Sequence, residues 1–251
     1  MGSSCELRTL AVIPARFAST RFPGKPLADL CGRPLIQWTY EAAAASGVND
    51  VVVATDDARI IKAVQAFGGE VIMTRADHET GTDRIAEVAL ARGVDVVVNV
   101  QGDEPLIPPA VIDRLVALVA TDTNTDMATA AVPFSISGAD PADANAVKVV
   151  LGQEQQALYF SRAAIPFCRD GDAQVAPLHH WGIYAYRREF LKRFVSWAPT
   201  ALERCEKLEQ LRALEHGARI RVLVAEQSVQ GVDTPEDLEA VARRVSQSLQ
   251  Q

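Results

Sequence analysis

The sequence predicts an α/β fold, a doubly wound and mostly parallel sheet that carries a smaller mixed insertion of strands and helices. Two observations support this prediction. Apolar strand patterns alternate with helical patterns through the first hundred residues or so. The strands are continuous apolar runs rather than alternating patterns, which is typical of a parallel sheet covered by helices on both faces.

The strand patterns of this first part are LAVIPA (10–15), DVVVAT (50–55), EVIMT (70–74) and DVVVNV (95–100). Between them lie helical patterns. Pro34 suits a first helical turn and Gly47 a stop, and Asp56 or Asp57 is expected to cap the second helix. In such sheets ligands bind beyond the carboxyl ends of the strands, where the loops after residues 15, 74 and 100 are expected to lie.

From about residue 126 the pattern becomes less regular, and several prolines interrupt it. The strand-like stretches are 126–134, 145–151, 157–167 and 179–187. A helix is expected over residues 203–217, because leucines recur there at spacings near three. Residues 219–226 then return to the sheet and residues 234–247 form a last helix, so this part is expected to be a smaller antiparallel or mixed region.

Length and composition fit a single domain, 1–251, that includes a smaller region at about 126–200. The chain is 48% hydrophobic, enough for a substantial core. No apolar run reaches the roughly 20 residues of a membrane helix and no signal peptide is recognised, so a cytoplasmic location without membrane insertion is expected. A net charge of −7 argues against a general nucleic-acid binder. The four cysteines lie too far apart to indicate a disulfide framework or a zinc site.

A basic loop, RFASTRFPGKP (16–26), follows the first predicted strand. It places Arg16, Arg21 and Lys25 among two prolines and a glycine in an otherwise acidic chain. Neither the Walker pattern nor G-x-G-x-x-G occurs there. A solvated, flexible loop is one interpretation. Its position at the end of a parallel strand favours the other, a pocket for a small polyanion such as a phosphate chain.

Two aspartates stand at comparable positions near strand or helix ends. Asp103 follows the strand 95–100 in a Gly-Asp turn, and Asp233 precedes a helix-start signal of Thr234, Pro235 and Asp237. Turn and capping chemistry explains the neighbouring residues but leaves the Asp233 side chain without a role. The two carboxylates can converge only if both loops open at the same edge of the sheet.

Eight ordered segments of the chain, taken together, resemble one family. They are PARFASTRFPGKPL, TRADHETGTDR, NVQGDEP, AVKVV, LYFSRAAIPF, HHWGIYAYR, LEQLR and GVDTPEDLE, spread over residues 9–245. With these segments the chain resembles the 3-deoxy-manno-octulosonate (Kdo) cytidylyltransferases, or CMP-Kdo synthetases. The resemblance implies a Rossmann-like nucleotidyltransferase fold and the transfer of CMP from CTP to the anomeric hydroxyl of Kdo, with release of pyrophosphate, for lipopolysaccharide synthesis.

The resemblance also implies roles for individual residues. Arg16 and Lys25 match the triphosphate loop of the family and, with Asp103, its catalytic positions. Asp103 and Asp233 match the ligands of a Mg²⁺ ion. The family residues that line the cytidine end of the CTP site correspond to Arg75, Asp77 and Thr80. The Kdo contacts correspond to Gln101, Arg162, His180, Tyr184, Glu209 and Gln210. A homodimer built on the middle region, about 126–200, is also implied.

Each of these positions also has a plainer interpretation when taken alone. Thr80 can be a helix cap, Arg162 a surface charge and His180 a hydrogen-bonded strand residue, and Glu209 with Gln210 can form a solvated helix face. Alternative functions are a related sugar-acid activator such as CMP-sialate synthetase, a catalytically silent nucleotide sensor and a glycosyltransferase. The last usually carries an Asp-x-Asp motif where this chain has Gln101-Gly-Asp103-Glu. Trp181 and Phe167 depart from the usual family residues, which affects pocket shape.

Overall fold

The computed structural model describes residues 7–18, 22–169, 175–228 and 230–248. The chain divides into two compact units. The first comprises residues 1–113 together with 229–251, and the second comprises residues 114–228. The smaller region expected at about 126–200 falls inside the second unit.

The first unit contains a parallel sheet with the strand order β6-β1-β4-β5. In chain order its elements are β1 (Thr9–Ala15), β2 (Asp29–Leu30), β3 (Arg33–Pro34), α1 (Leu35–Ala44), β4 (Asp50–Thr55), α2 (Ala58–Ala66), β5 (Val71–Met73), α3 (Gly81–Leu90), β6 (Val96–Asn99) and α4 (Pro109–Thr121), whose last residues pass into the second unit. All three pairings along this order are parallel, so the predicted arrangement is confirmed here. The short strands β2 and β3 pair separately as an antiparallel hairpin.

Burial explains why the strands of this unit are continuous apolar runs. Leu10, Ala11, Val12 and Ile13 of β1 are completely buried, and β4 and β6 are similarly enclosed. A strand with helices on both faces has no side that can remain polar. Asp57 caps α2 by accepting a hydrogen bond from the backbone N–H of Arg59, as the sequence indicated.

The second unit is a mixed sheet with short helices. Its elements are β7 (Met127–Pro133), α5 (Phe134–Ser137), β8 (Lys148–Leu151), β9 (Ala157–Ser161), β10 (Leu178–Arg187), α6 (Arg188–Phe194), α7 (Ala201–Glu206), α8 (Gln210–Glu215) and β11 (Ile220–Val224). Strand β10 runs antiparallel to β7 and β8, β9 runs antiparallel to β8, and β11 runs parallel to β7. The last helix, α9 (Pro235–Ser248), belongs to the first unit. The prediction of a mixed region is confirmed.

The prediction of a single helix over residues 203–217 is wrong, because two helices occupy this stretch. Lys207 ends α7 in the left-handed conformation, with φ at 53°. Glu203 makes a bidentate ion pair with Arg212, at 2.8 and 2.6 Å, which links α7 to α8 across the break. Leu202 is 40% exposed, whereas Leu208 and Leu211 are buried. The left-handed Lys207 thus interrupts the helix that the leucine spacing predicted.

Regular structure begins at the end of the basic loop and continues after it. Residues Lys25–Leu27 form a single 3₁₀ turn, and β2 and β3 follow it. No helix within the described ranges is both long and apolar enough to cross a membrane.

Candidate active site

The basic loop leaves the carboxyl end of β1 and folds back on itself. The backbone N–H of Gly24 donates to the carbonyl of Phe17 at 2.9 Å, and Gly24 has a φ of 73°. The Phe17 ring lies below Gly24 and is covered on its face by the guanidinium of Arg59, which is 3.3 Å from the ring centroid. These contacts anchor the part of the loop that is described. Arg21 lies outside the described residues.

Lys25 joins the two aspartates that the sequence left far apart. Its Nζ atom lies 2.6 Å from Oδ2 of Asp103 and 3.2 Å from Oδ1 of Asp233. Because both distances end at one nitrogen, these carboxylate oxygens can be no farther apart than the sum of the two distances. The structure therefore brings Lys25, Asp103 and Asp233 together at one edge of the first unit, as the expected topology required.

Backbone contacts hold the two aspartates in this arrangement. The N–H of Val232 donates to the carbonyl of Asp103 at 2.9 Å, which ties the two loops directly to each other. The carboxylate of Asp237 accepts from the N–H of Asp233 at 3.1 Å and from the N–H of Thr234 at 2.9 Å. The helix-start signal is therefore a real capping box that also fixes the backbone of Asp233, whose carboxylate remains directed to Lys25.

Close packing supports the same region. The hydroxyl of Thr39, on α1, donates to the carbonyl of Gly102 at 3.3 Å. A Cβ atom on Gly102 would lie 3.1 Å from the carbonyl oxygen of Pro14, and one on Gly231 would lie 3.1 Å from Oε1 of Glu104. Both glycines thus let neighbouring groups approach closely, which places Asp103 next to the end of β1.

A pocket of about 170 Å³ opens beside these residues. Its lining includes Arg16, Lys25, Gln101 and Asp103, together with Pro14 and Ala15 at the end of β1. A hydrogen bond from the Arg16 guanidinium to the carbonyl of His78 holds Arg16 toward the loop that follows β5. Gln101 donates through its side-chain amide to Oδ1 of Asn99 at 3.2 Å. Two basic groups and one carboxylate therefore face the same small space.

The segment expected at the cytidine end lies in the loop before α3. Thr80 and Asp83 form a reciprocal capping box, with the hydroxyl of Thr80 accepting from the N–H of Asp83 at 3.1 Å. Arg75 and Asp77 pair with each other at 3.0 Å, and both side chains are more than two-thirds exposed. None of these three residues is among the pocket-lining residues in the described part of the chain. The hydroxyl of Thr80 is therefore engaged in capping α3.

A buried arginine that the sequence analysis did not single out supports this edge of the sheet. Arg84, on α3, is completely buried. Its guanidinium pairs with Asp56, just after β4, at 2.7 Å and also contacts the hydroxyl of Thr74, just after β5. Arg84 thereby links the ends of β4 and β5, and Thr74 directly precedes Arg75. No sequence signal marks this role, since it depends on two loops distant in the chain.

Three of the residues assigned to the sugar form a polar cluster in the second unit. His180 Nε2 lies 2.9 Å from the hydroxyl of Thr129, and its ring packs edge-on against Phe160. The hydroxyl of Tyr184 donates to Oε1 of Gln210 at 3.2 Å. Burial lowers the pKa of His180 to about 3 and raises the pKa of Tyr184 well above its usual range. Both groups are therefore neutral near pH 7.

Gln210 has unused hydrogen-bonding capacity. It is 4% exposed, and its side-chain Nε2 has no partner within the described residues. A buried amide donor left without an acceptor is costly, and it indicates a position where a ligand or water completes the hydrogen bonds. Glu209 directly precedes it at the start of α8 and contributes to the raised pKa of Tyr184.

Arg162 follows β9 and is not a free surface charge. Its Nε donates to the carbonyl of Glu206 at 2.7 Å and its Nη1 to the carbonyl of Ala144 at 3.0 Å. Its backbone N–H donates to the carboxylate of Glu206 at 2.9 Å. Arg162 is therefore a partly buried charge with several protein partners rather than a freely solvated one. Of the two departures from the family residues, Trp181 is buried and Phe167 is almost fully exposed.

Comparisons with known proteins agree with this architecture. A family model described as cytidylyltransferase matches residues 10–220. A 3-deoxy-manno-octulosonate cytidylyltransferase of Syntrophobacter fumaroxidans is 53% identical over 96% of this chain and 98% of its own length. Its counterpart in Aliivibrio fischeri is 52% identical over 92% of this chain and 96% of its own length.

Solved structures show the same fold. A CMP:2-keto-3-deoxy-manno-octonic acid synthetase complexed with CTP superposes with a TM-score of 0.91 at 45% identity, covering 96% of this chain and 99% of that one. A 4-diphosphocytidyl-2C-methyl-D-erythritol synthase from Anaerococcus prevotii shares the fold at 13% identity, with a TM-score of 0.63 over 96% of this chain and 99% of that one. The chain thus belongs to the cytidylyltransferase family of nucleotidyltransferases, among the 3-deoxy-manno-octulosonate cytidylyltransferases.

Proposed function

We propose that this protein transfers CMP from CTP to the anomeric hydroxyl of Kdo, giving CMP-Kdo and pyrophosphate for lipopolysaccharide synthesis. The single observation that carries the proposal is the convergence of Lys25, Asp103 and Asp233 at the edge of a parallel sheet. Family membership supplies the choice of CTP and of the sugar acid. In the reaction the sugar oxygen bonds to the α-phosphorus while the bond from that phosphorus to the pyrophosphate oxygen breaks.

The triphosphate is assigned to the basic loop. Arg16 and Lys25 both line the pocket, where their charges would offset the negative charge that develops on the departing pyrophosphate. The anchored conformation of Phe17 and Gly24 supports this role, because donors fixed before substrate binds need little reorganisation.

Asp103 and Asp233 are assigned as ligands of Mg²⁺. No group of three or more acidic, histidine or cysteine side chains suited to a metal occurs in the part of the chain that is described. Two carboxylates nevertheless fit Mg²⁺, which commonly binds one or two carboxylates and takes its other ligands from phosphates and water. The Lys25 ammonium between them supports the fit, since their adjoining oxygens already favour a cation. When bound, the ion would neutralise phosphate charge and lower the pKa of the attacking hydroxyl.

The sugar acid is assigned to the polar residues of the second unit. His180 and Tyr184 are neutral near pH 7 and therefore suit hydrogen bonding to hydroxyl groups rather than general base catalysis. The buried Nε2 donor of Gln210 supports a hydroxyl acceptor at that position. The guanidinium of Arg162 suits the carboxylate of the sugar acid, and Glu209 completes the set.

We also propose that the protein acts in the cytoplasm, where CTP is available, and as a homodimer. The family resemblance supports the homodimer and assigns it to the middle region, about 126–200. Four large apolar side chains of this region are exposed, namely Ile136, Leu158, Phe167 and Val175.

A pyrophosphate-release assay tests the proposed function. Kdo is compared with sialic acid, and CTP with the other nucleoside triphosphates, each with and without Mg²⁺. Rapid release only with CTP, Kdo and Mg²⁺ together is expected. Preference for sialic acid would assign the protein to a related sugar-acid activator, and the absence of turnover with every combination would indicate a nucleotide-sensing protein.

A further inference from the structure

The most unusual buried charge in the second unit is Lys148, the first residue of β8. Its side chain is completely buried, yet no carboxylate within the described ranges forms an ion pair with it. Its Nζ atom donates instead to the carbonyls of Asp143, at 2.8 Å, and Arg162, at 2.6 Å. Burial lowers its pKa below the usual lysine value.

A buried ammonium group without a close ion pair is energetically unfavourable, and the carboxylates of Asp143, Glu206 and Asp140 act on Lys148 only from a distance. Its hydration is lost, and two neutral carbonyls replace only part of that loss. Methionine has a similar length and would fill the same space without this cost. The presence of lysine therefore indicates that its two hydrogen bonds serve something other than stability.

Both hydrogen bonds of Lys148 support Arg162. One is donated to the backbone carbonyl of Arg162 itself. The other fixes Asp143, whose neighbour Ala144 accepts from the Nη1 atom of Arg162 at 3.0 Å. On the other side, Glu206 receives the backbone N–H of Arg162 and the hydroxyl of Ser161, at 2.9 and 2.7 Å. Arg162 is thus held from both sides before any substrate binds.

The guanidinium of Arg162 retains donors for a ligand. It has five N–H groups. The described acceptors are the carbonyls of Glu206, Ala144 and, at 3.5 Å, Lys207, and they take one N–H each from Nε, Nη1 and Nη2. One N–H therefore remains on each terminal nitrogen. Two such donors on one guanidinium match the two oxygens of a carboxylate.

We propose that Lys148 is a positioning residue for the sugar-acid site, where it holds Arg162 so that its two remaining terminal N–H groups bind the carboxylate of the sugar. This role rests on the proposed function through the assignment of Arg162 to the sugar acid. Lys148 acts through Arg162, because its ammonium group is engaged with the carbonyls of Asp143 and Arg162. Its substitution should therefore impair sugar binding selectively and leave the nucleotide site unchanged.

The test compares K148M with a matched control, R187M. Arg187, the last residue of β10, is also a cation bound to carbonyl oxygens, those of Thr125, Asp122 and Val119. K148M should raise the KM for Kdo about tenfold or more and change the KM for CTP by less than about twofold. R187M should lower Tm and leave the KM for Kdo near the wild-type value.

A double-mutant cycle shows whether Lys148 acts through Arg162. In an R162M background, K148M should cause no further rise in the KM for Kdo, because the group that it positions is already absent. E206Q provides a second route if K148M does not fold, and it should also raise the KM for Kdo selectively. An unchanged KM for Kdo in K148M, or full additivity with R162M, would overturn the inference. A wild-type protein inactive with Kdo would instead contradict the proposed function.

Discussion

The ammonium nitrogen of Lys25 lies 2.6 Å from a carboxylate oxygen of Asp103, a residue 78 positions away in the chain. The same nitrogen lies 3.2 Å from Asp233. Neither aspartate is deeply buried, with side-chain exposures of 32% and 48%, so the ion pairs themselves add little to stability. Under the proposed function their value is positional, because they place one cationic and two anionic groups together at the site assigned to a metal-bound triphosphate.

The first prediction concerns Lys25. K25A should lower kcat/KM for CTP by about 10² to 10³, because a donor that stabilises charge on the leaving pyrophosphate is lost. Steady-state pyrophosphate release measures the effect. K62A is the control, since Lys62 is an exposed lysine on α2. Wild-type kinetics in K25A would remove the basic loop from the active site.

The second prediction concerns the two aspartates. D103N and D233N should each raise the Mg²⁺ concentration for half-maximal activity by about tenfold or more, because an amide is a weaker ligand for Mg²⁺ than a carboxylate. Activity is measured across a Mg²⁺ titration at saturating CTP. D95N changes an exposed aspartate just before β6, whereas Asp103 follows that strand. An identical Mg²⁺ dependence in D95N and D103N would exclude Asp103 as a ligand.

The third prediction concerns the conformation of the basic loop. G24A should destabilise the protein by more than G32A. Both glycines have positive φ values, 73° and 84°, so each substitution costs about 1 to 2 kcal/mol in backbone strain. Only at Gly24 would the new Cβ also lie 3.0 Å from the Phe17 ring, whereas the position beside Gly32 is open. Urea unfolding measures the stability of both variants.

The kinetic part of this prediction separates strain from function. G24A should also lower kcat/KM for CTP, since Gly24 directly precedes Lys25, and G32A should not. Equal losses of stability and equal kinetics in the two variants would show that the Phe17 contact does not shape the loop.

The fourth prediction concerns pH. His180 has an ordinary pKa of 6.5 in the unfolded chain and a pKa of about 3 in the folded protein, because it is buried. As the pH falls from 6.5 toward 3, the unfolded state binds a proton that the folded state does not. The free energy of unfolding should therefore decrease by up to about 1.4 kcal/mol per pH unit from this group.

Urea titrations of the wild type and H180Q at several pH values isolate this contribution. The difference between the two free energies of unfolding should change between pH 7 and pH 5, with the wild type losing more stability. A difference that stays constant over that range would show that His180 is accessible to protons in the folded protein.

Local sequence patterns predicted the parallel sheet of the first unit well. Strand β4 covers Asp50–Thr55, as its apolar run indicated, and Asp57 caps α2. These features depend on neighbouring residues. The predicted helix over 203–217 failed because Lys207 adopts the left-handed conformation and ends α7, which the leucine spacing does not reveal. The helices α4 and α6 were not recognised in the sequence.

The candidate site was only partly predictable from the residues alone. Position after a strand indicated Asp103, and the unexplained residue before a capping box indicated Asp233. The sugar residues came from the family resemblance, because a buried histidine or glutamine has no local signature. Lys148 lay within a recognised segment but received no role, since Asp143 and Arg162 approach it only in the folded chain.

A crystal structure of the protein with CTP and Mg²⁺ tests the central claim most directly. We expect the metal to bind both Asp103 and Asp233, and the Lys25 ammonium to exchange its carboxylate partners for the β- and γ-phosphates. A triphosphate bound away from Lys25, or a metal held by neither aspartate, would contradict the account.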